Sequence, residues 1–378
     1  MWRHYDYVLL ALVMILLGFG VAMVYSATRG EGNPAIEATP VQQAITALVG
    51  LIVLLIISVY DYIQLKNFAW IIYGLVVLSL VGVLIPGVGV TNFGAQRWYR
   101  IGPSLEVQPG EFAKVLLTIV IAKFIADRQG KRPYLETVGL SLLLIAPCVA
   151  LIFVQPNLST ALTIVFIWLA LVFVGGISSQ HIAIIIVAGV ALALLVYQLG
   201  LVPQYQIDRI NLLLSPDRSE FVKGESYQID QALVALGSGG WWGQGYLQGP
   251  SSKLRYFPVR HTDFIFSVIG EELGFIGAML LIGLLIFVIL RALRAAFIAR
   301  DTFGQLMAVG VAATLFLQAY INIGMQVGIM PVTGVVLPFI SYGRSNLIVV
   351  LAAMGLVESV AMRHKKLEFN QTLPGSRL

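Results

Sequence analysis

Residues 263–290, with the sequence DFIFSVIGEELGFIGAMLLIGLLIFVIL, combine a long apolar run with three carboxylates. The run exceeds the roughly 20 residues that an α-helix needs to cross a bilayer, so it predicts a membrane-spanning helix. Asp263 stands where this helix meets the polar segment before it, directly after His261 and Thr262. An ionisable group at such a junction can meet a substrate that lies partly in water and partly in lipid.

The composition extends this prediction to the whole chain. Of 378 residues, 58% are hydrophobic and 11% are charged, against about 25% charged in soluble domains. We therefore predict an all-α polytopic membrane protein that forms one integral membrane domain over residues 1–378. Ten spans are predicted, at 7–27, 41–60, 67–86, 109–127, 135–154, 157–175, 181–201, 263–290, 304–329 and 340–362.

The distribution of Lys and Arg predicts the orientation. With the N-terminus inside, twelve basic residues fall in cytoplasmic segments, and the short outer loops hold four, namely Arg29, Arg97, Arg100 and Arg344. Positive charge is retained on the cytoplasmic side, so both termini are predicted to lie inside. The net charge of +5 then reflects attachment to a membrane surface and not nucleic-acid binding.

Two outer segments are longer than the other connections. One is 87–108, and the other is 202–262, which joins the seventh and eighth spans. Loops of that length are usually functional or partly structured. In the second, apolar residues at helical spacing predict a short interfacial helix over 227–236. The glycine-rich stretch 237–246 that follows is predicted to be mobile, and its Trp241 and Trp242 suit either sugar stacking or interfacial anchoring.

Charged side chains within the fourth span have two interpretations. Pro109 suits the first position of a helix, which places Glu111 near the positive end of the helix dipole and Lys114 on the same face. The two residues either form a local ion pair at a helix start or present a cation, fixed by Glu111, to an anionic substrate.

The carboxylates of the eighth span also leave alternatives open. Thr262 is predicted as the N-cap with Asp263 in the first turn, where acidic residues often serve only to cap. At about 100° per residue, Glu271 and Glu272 project in different directions from Asp263. We expect Glu271 to line an interior cavity and Glu272 to pair with another helix.

A polar stripe runs along the ninth span. Thr314, Gln318, Asn322 and Gln326 recur at four-residue intervals, which favours interhelical hydrogen bonding and leaves a hydrated cavity wall as the alternative. No motif with metal-ligand spacing and no P-loop is present, so no protein-held metal is predicted and an ATP-driven pump is disfavoured.

Several short motifs follow one another along the chain. They are Arg97-Trp98, the stretch QPGEFAK over 108–114, QPNLSTAL over 155–162, the His261-Thr262-Asp263-Phe264 element, EELG over 271–274, PVTG over 331–334 and Ser341-Tyr342-Gly343. In their order and spacing these motifs are similar to those of the SEDS proteins (shape, elongation, division and sporulation), and the resemblance covers essentially the full chain. Arg260 with the stretch Asn322-Ile323-Gly324-Met325 makes the chain more similar to the RodA-like than to the FtsW-like branch.

The resemblance implies a peptidoglycan glycosyltransferase of the bacterial cytoplasmic membrane, with a role in cell elongation and shape. Such enzymes polymerise lipid II into β-1,4-linked strands on the outer face and release undecaprenyl pyrophosphate. It also implies a class B penicillin-binding protein as partner. The family's catalytic Asp corresponds to Asp263, its fourth-helix pair to Glu111 and Lys114, and its outer-loop pair to Arg97 and Trp98.

Three positions depart from the family pattern. Gly110 replaces a usual Ser, Asn157 replaces a usual Asp, and Arg344 stands where a Gly is usual. A role that needs a carboxylate at residue 157 is therefore lost. Arg344 is expected to contact a phosphate or to close part of the outer mouth.

Glycosyl transfer suits these residues chemically. An acceptor hydroxyl must lose a proton as it attacks the anomeric carbon, and Asp263 can accept that proton as a general base. A pyrophosphate leaving group needs positive charge, with Mg²⁺ or Mn²⁺ as a further counter-ion and no covalent cofactor. The predicted substrate-binding residues are Arg97, Trp98, Arg100, Arg260, His261, Thr262, Glu271, Ser341 and Arg344, with Lys253 and Arg255 as additional cations.

Two other functions are compatible with a protein of this type. A flippase for the same lipid would use interior polar groups such as Glu271, Gln318 and Asn322. A scaffold would only recruit the partner. Charges concentrated at the outer mouth favour the enzyme.

Overall fold

The structure, a computed structural model, describes residues 4–30, 32–92, 95–102, 105–130, 134–200, 202, 204–214, 225–250 and 260–364. The described part is mostly helical. Its helices are α1 (Tyr7–Thr28), α2 (Pro34–Glu37), α3 (Thr39–Val59), α4 (Leu65–Gly82), α5 (Pro109–Arg128), α6 (Tyr134–Val154), α7 (Leu158–Val174), α8 (Ser179–Gln198), α9 (Gln204–Leu214), α10 (Glu225–Ser238), α11 (Ile265–Ile298), α12 (Thr302–Gln326) and α13 (Arg344–Met362).

Each of the ten predicted spans coincides with one of these helices, and most ends agree within a few residues. Eight helices in the described part of the chain are long and apolar enough to cross a membrane. Helix α7 is shorter, with 17 residues, and α5 carries charged side chains at both ends. The polytopic helical fold is therefore confirmed, and the number of ten spans stays a prediction.

Helices α12 and α13 form the centre of the bundle. Most of the apolar window of each is buried, 72% in α12 and 83% in α13. Helix α13 packs mainly on α3, whereas α12 packs on α11, α5 and α7. Polar side chains on these two helices are therefore shielded from lipid and can take part in a site inside the bundle.

Helix α11 is broken at Gly274, whose φ of 68° and ψ of −170° are not helical. In a continuous helix, Phe275 and Ile276 would donate their N–H groups to the carbonyls of Glu271 and Glu272. Here Phe275 N donates to Gly240 O (2.8 Å) and Ile276 N to Trp241 O (3.2 Å).

The two carbonyls that the break leaves without helical partners are bound by the same loop. Gln244 N donates to Glu271 O and Gly245 N to Glu272 O, each at 3.0 Å. We call residues 239–245 the glycine clasp, because this segment of backbone replaces one turn of helix hydrogen bonding. A Cβ atom at Gly243 would lie 2.1 Å from Glu272 O, so only glycine allows this approach. The prediction that this stretch is mobile was wrong, since its backbone is bound to α11.

The outer segment 87–108 contains a small antiparallel sheet that the all-α prediction did not include. Its strands are β1 (Gly89–Asn92), β2 (Ala95–Ile101) and β3 (Leu105–Val107), in the order β1-β2-β3. Alternation along β2 puts Arg97 and Tyr99 on one face and Trp98 and Arg100 on the other. Because Tyr99 Oη donates to Ser79 O in α4 (2.7 Å), the face with Arg97 is the one turned toward the helices.

Candidate active site

Asp263 lies in a turn over 260–264 that precedes α11 and is not part of its first helical turn. The helix begins at Ile265, and its N-cap position is Phe264, which makes no side-chain capping bond. The prediction that Thr262 is the N-cap was therefore wrong. A carboxylate placed before the helix, and without a capping role, is available for another purpose.

The surroundings of the Asp263 carboxyl act on its ionisation in opposite directions. Its pKa is raised from the ordinary 3.8 to about 6, because burial raises it by more than the hydrogen bond from Thr262 and the positive charges of Arg97 and Arg209 lower it. Gly334 lies on another side, where a Cβ atom would be 3.7 Å from Oδ2. A carboxyl group with a pKa near 6 can accept a proton at neutral pH and hold it long enough to act as a general base.

A side chain of α12 fixes the backbone of Asp263. Asn322 Nδ2 donates to Asp263 O (2.9 Å) and to Val335 O (2.7 Å), so it joins the 260–264 turn to the segment 327–343. Gln326 Oε1 accepts from Ser267 N (2.7 Å) in α11, and its Nε2 donates to Asn322 Oδ1 (2.7 Å). These contacts confirm interhelical hydrogen bonding for this half of the polar stripe.

Glu111 and Lys114 lie at the start of α5, as predicted. Glu111 Oε2 accepts from Lys114 Nζ (2.8 Å) and from Asn346 Nδ2 in α13 (2.5 Å). The Lys114 side chain is only 4% exposed. A buried cation whose position is set by a partner on its own helix is suited to bind one substrate group in a fixed place.

Helix α12 connects this pair to Asp263. Gln318 lines a small cavity together with Glu111 and Lys114, and Asn322, which holds Asp263, is one turn further along the same helix. One turn of helix advances about 6 Å. Helix α12 therefore contacts the Glu111–Lys114 cavity through Gln318 and the Asp263 backbone through Asn322, and a single site formed by these groups stays a prediction.

Residues of β2 contribute unequally. Arg97 stacks on the Trp98 ring at 4.6 Å from the ring centre and acts on the charge of Asp263. Arg100 faces away and pairs with Glu106 on β3 (2.8 Å), with half of its side chain exposed. Of the two arginines predicted here, only Arg97 is brought to the Asp263 carboxyl.

Other predicted substrate ligands have structural contacts. Arg260 is 2% exposed and donates from Nε to Ala27 O at the end of α1 (2.6 Å). Ser341 is buried, and its Oγ accepts from Leu337 N (2.9 Å) within its own turn. Both side chains are buried and bind backbone groups. They therefore hold loops to the bundle and do not line an open binding surface.

His261 and Arg344 both meet Tyr342. The His261 ring lies 5.9 Å from the Tyr342 ring, and His261 O accepts from Tyr342 N (3.0 Å). Burial raises the pKa of Tyr342, and the charge and hydrogen bond of Arg344 lower it. Arg344 thus contacts Tyr342, and its proposed contact with a phosphate stays a prediction.

Glu271 and Glu272 are both buried beside the glycine clasp. Glu272 accepts from Ser26 Oγ in α1 (2.5 Å) and from Leu247 N (3.3 Å), which confirms that it pairs with another helix. A Cβ atom at Gly249 would lie 2.6 Å from Glu271 Oε2. Glu271 is therefore packed against the outer loop, and its role in substrate binding stays a prediction.

The structure adds Arg209 and Asn346 to the residues identified from the sequence. Arg209 lies on α9, an amphipathic helix in the outer loop that the sequence analysis did not predict. Asn346 is the second partner of Glu111 and belongs to the stretch that departs from the family pattern. Lys253 and Arg255, predicted as further cations, lie outside the described residues.

Two of the three departures from the family pattern lie against each other. A Cβ atom at Gly110 would meet Thr160 Cγ2 at 3.4 Å and Asn157 Nδ2 at 3.6 Å. Asn157 caps α7 by accepting from Thr160 N (3.3 Å). An amide caps a helix as well as a carboxylate does, so this contact retains its structural role without the charge.

Among the residues that the structure describes, no three His, Cys, Asp or Glu side chains converge as a metal site would require. The positive groups that lower the Asp263 pKa are guanidinium groups, which bind phosphate oxygens through paired N–H donors. The arrangement as a whole places one basic carboxylate beside fixed cations, which suits transfer of a group from a phosphate-linked donor to a hydroxyl acceptor.

Comparison with curated proteins gives relatives over nearly the whole chain. Peptidoglycan glycosyltransferase MrdB of Escherichia coli K12 is 36% identical over 369 residues, which cover 96% of this chain and 95% of that protein. The probable peptidoglycan glycosyltransferase FtsW of Trichlorobacter lovleyi is 36% identical over 366 residues, covering 95% and 93%.

Solved structures give the same result. The crystal structure of the rod shape determining protein RodA of Thermus thermophilus matches with a TM-score of 0.71 and 31% identity, covering 97% of this chain and 99% of that one. A chain of a peptidoglycan synthase complex, described for coordination of polymerisation and crosslinking, matches with a TM-score of 0.79 and 32% identity, covering 94% and 97%.

Residues 7–366 match the family model described as "Cell cycle protein", which groups FtsW, RodA and SpoVE. This match spans most of the chain and includes every site residue described above. The chain therefore belongs to the FtsW, RodA and SpoVE family, the SEDS proteins.

Proposed function

We propose that this protein is a peptidoglycan glycosyltransferase that polymerises lipid II at the outer face of the cytoplasmic membrane. The observation that carries the proposal is the buried Asp263 carboxyl, which feels the positive charges of Arg97 and Arg209 and has a pKa of about 6. Asp263 takes the proton of the acceptor hydroxyl as that oxygen attacks the anomeric carbon. The bond to the pyrophosphate breaks, and undecaprenyl pyrophosphate leaves.

The cations of the site stabilise the leaving group. Arg97 and Arg209 are close enough to Asp263 to lower its pKa, and Lys114 lines a cavity beside Gln318, four residues before Asn322 on α12. Together they neutralise the negative charge that accumulates on the pyrophosphate in the transition state. Mg²⁺ or Mn²⁺ would enter as a counter-ion of the pyrophosphate, so chelation is expected to lower the rate of lipid II polymerisation.

An apolar groove accounts for the lipid part of the substrate. It has a volume of about 520 Å³ and lies between α10, α11 and α12, where Phe266, Phe275 and Ile323 are among its lining residues. Phe266 is less than one turn from the start of α11, next to the Asp263 turn. A polyprenyl tail in this groove would hold the pyrophosphate at the cations and the sugar at Asp263.

The flippase alternative is not favoured. Among the interior polar groups, Asn322 holds the Asp263 turn, Gln326 holds α11 and Glu272 holds α1. The relatives, moreover, are named as glycosyltransferases. The neighbouring synthase complex supports a penicillin-binding protein as partner of this chain.

The test is lipid II polymerisation by the purified protein together with its partner. Asp263→Asn keeps the shape of the side chain and removes the base, so we expect glycan strands from the wild type and none from the variant. Glu37→Gln, which changes an exposed carboxylate on the same side, is the matched control and should keep full activity. Polymer from Asp263→Asn at the wild-type rate would exclude the general-base role.

A further inference from the structure

The cavity beside Glu111 and Lys114 is lined by Gln318, whose side-chain amide oxygen makes no hydrogen bond that stabilises the described part of the fold. Gln318 is 1% exposed, and its Oε1 has no hydrogen-bond partner among the described residues. Buried polar atoms in native proteins are nearly always hydrogen-bonded, so an exception calls for a specific role.

The other members of the polar stripe do not share this property. Thr314 donates to Gly310 O within its own helix (2.8 Å), whereas Asn322 and Gln326 bind across helices. Gln318 is thus the one stripe residue, within the described part of the chain, whose buried oxygen is left without a hydrogen bond. Interhelical adhesion explains the remainder of the stripe and does not explain Gln318.

Lys114 provides hydrogen-bond donors in the same cavity. An ammonium group has three N–H donors, and the structure shows one of them in use, on Glu111 (2.8 Å). The cavity is lined by both Lys114 and Gln318 and measures about 10 Å³, roughly the room that one water molecule occupies. A buried water needs two to four polar partners, and these side chains offer them.

We propose that Gln318 is a positioning residue for Lys114. Its amide oxygen accepts a hydrogen bond from one water molecule, which also binds the Lys114 ammonium. Glu111 holds the ammonium from one side and the water bridge holds it from the other. The ammonium is thereby kept at one point of the cavity wall, so that it meets the pyrophosphate in the geometry of the transition state. This inference rests on the proposed glycosyl transfer.

The proposal separates stability from activity. Gln318→Leu keeps similar volume and leaves the Glu111–Lys114 ion pair in place, so we expect the Tm to change little. Loss of the bridge should lower kcat by roughly tenfold or more while KM changes little, because the bound ground state needs the ammonium less than the transition state does. A residue that served only the fold would lose stability and activity together.

The experiment measures Tm and lipid II polymerisation for the full chain with its partner. Thr314→Val is the matched control, because Thr314 lines the same cavity but uses its hydroxyl within its own helix, and it should leave kcat unchanged. Gln318→Met, which also lacks the acceptor, replaces Gln318→Leu if that variant fails to fold, and Gln318→Glu, which keeps an acceptor oxygen, should retain more activity than either.

The kcat and Tm of Gln318→Leu together test the role of Gln318. A lower kcat with an intact Tm supports the inference, and wild-type kcat in Gln318→Leu or a parallel fall in Tm overturns it. If the wild type itself makes no polymer, the proposed function fails, and the inference fails with it. If the wild type polymerises and Gln318→Leu does so equally well, only the inference fails.

Discussion

Two features of its surroundings shift the pKa of Asp263 in opposite directions, namely burial away from water and nearby positive charge. Burial alone favours the neutral acid, and Arg97 and Arg209 favour the carboxylate. The resulting pKa of about 6 lies above the ordinary 3.8. Such a group is mostly ionised at neutral pH but is a far stronger base than a fully solvated Asp, which matches the requirement for proton abstraction.

The pH profile of the reaction should report this pKa. A general base must be ionised, so kcat/KM for lipid II polymerisation should fall about tenfold per pH unit below pH 6 and level off above pH 7. A kcat/KM that stays constant down to pH 4.5 would contradict the assignment of Asp263 as the general base.

The raised pKa of Asp263 affects the free energy of unfolding in the opposite sense, with a contribution to stability that is larger at low pH. Because the folded pKa is raised, the favourable contribution of the neutral carboxyl is complete below about pH 4 and is lost as pH rises through 6.

Removal of a nearby cation should move the acidic limb of this profile. Arg97→Gln takes away a charge that lowers the Asp263 pKa, so the limb should shift to higher pH, by a fraction of a unit to about one unit. Arg100→Gln is the control on the same strand, since Arg100 is directed outward to Glu106, and its limb should coincide with the wild type. Equal shifts in both variants would mean that general surface charge, and not proximity to Asp263, sets the pKa.

Helix α11 shows at the scale of an element how a transmembrane helix can be interrupted without exposing its backbone. An unpaired N–H or C=O group in lipid costs several kcal/mol. The break at Gly274 leaves two of each, and the glycine clasp binds all four. The position of the Asp263 turn therefore depends on a loop that lies before it in the chain.

A substitution in the clasp tests this dependence. Gly243 has a φ of 80°, and its Cβ would approach Glu272 O within 2.1 Å, so Gly243→Ala should reduce the free energy of unfolding by at least about 1–3 kcal/mol. Gly237→Ala is the matched control, because Gly237 lies in the last turn of α10 and a Cβ there meets nothing within 4 Å. It should be neutral or raise stability by up to about 1 kcal/mol. The measurement is thermal unfolding in detergent, and equal Tm values for the two variants would show that the clasp is not required.

The sequence predicted the helices well because length and hydrophobicity suffice to identify a span. It could not predict the break in α11, since one glycine in an apolar run is compatible with a helix and only the distant loop reveals the missing hydrogen bonds. Thr262 was misplaced as an N-cap for a related reason, because helix ends depend on tertiary contacts such as that of Gln326 with Ser267.

The site was predicted in part. Asp263, Glu111 and Lys114 were identified because charged groups in or beside apolar spans are costly and therefore conspicuous. Arg209 was missed because it lies in a polar loop, where a basic residue needs no explanation. Gln318 was recognised as polar, but only the cavity and its unpaired oxygen distinguish it from its neighbours on α12.

The whole molecule is a bundle, and the described parts of the segments 87–108 and 202–262 bring Arg97 and Arg209 to the Asp263 carboxyl. Topology predicts that these segments are extracytoplasmic. Cys148 is fully buried, so a Cys148→Ser background is suitable for labelling single introduced cysteines.

Two positions on opposite sides check this orientation. Trp242→Cys lies in the glycine clasp, where the side chain is 82% exposed, and should react in intact spheroplasts with a maleimide that does not cross membranes. Arg300→Cys, in the exposed connection between α11 and α12, should react only after permeabilisation. The reverse pattern would place the site on the cytoplasmic side and would exclude lipid II polymerisation outside.

The clasp also sets an order of events during biogenesis. It precedes α11 in the chain and must already have been translocated before the outer part of that helix can find its partners. Residues 275–298 span roughly 36 Å at about 1.5 Å per residue, enough to cross the membrane unaided. The segment that carries Asp263 therefore settles last. A molecule that stalls before this step would present unpaired backbone groups to lipid, at a cost of several kcal/mol for each group.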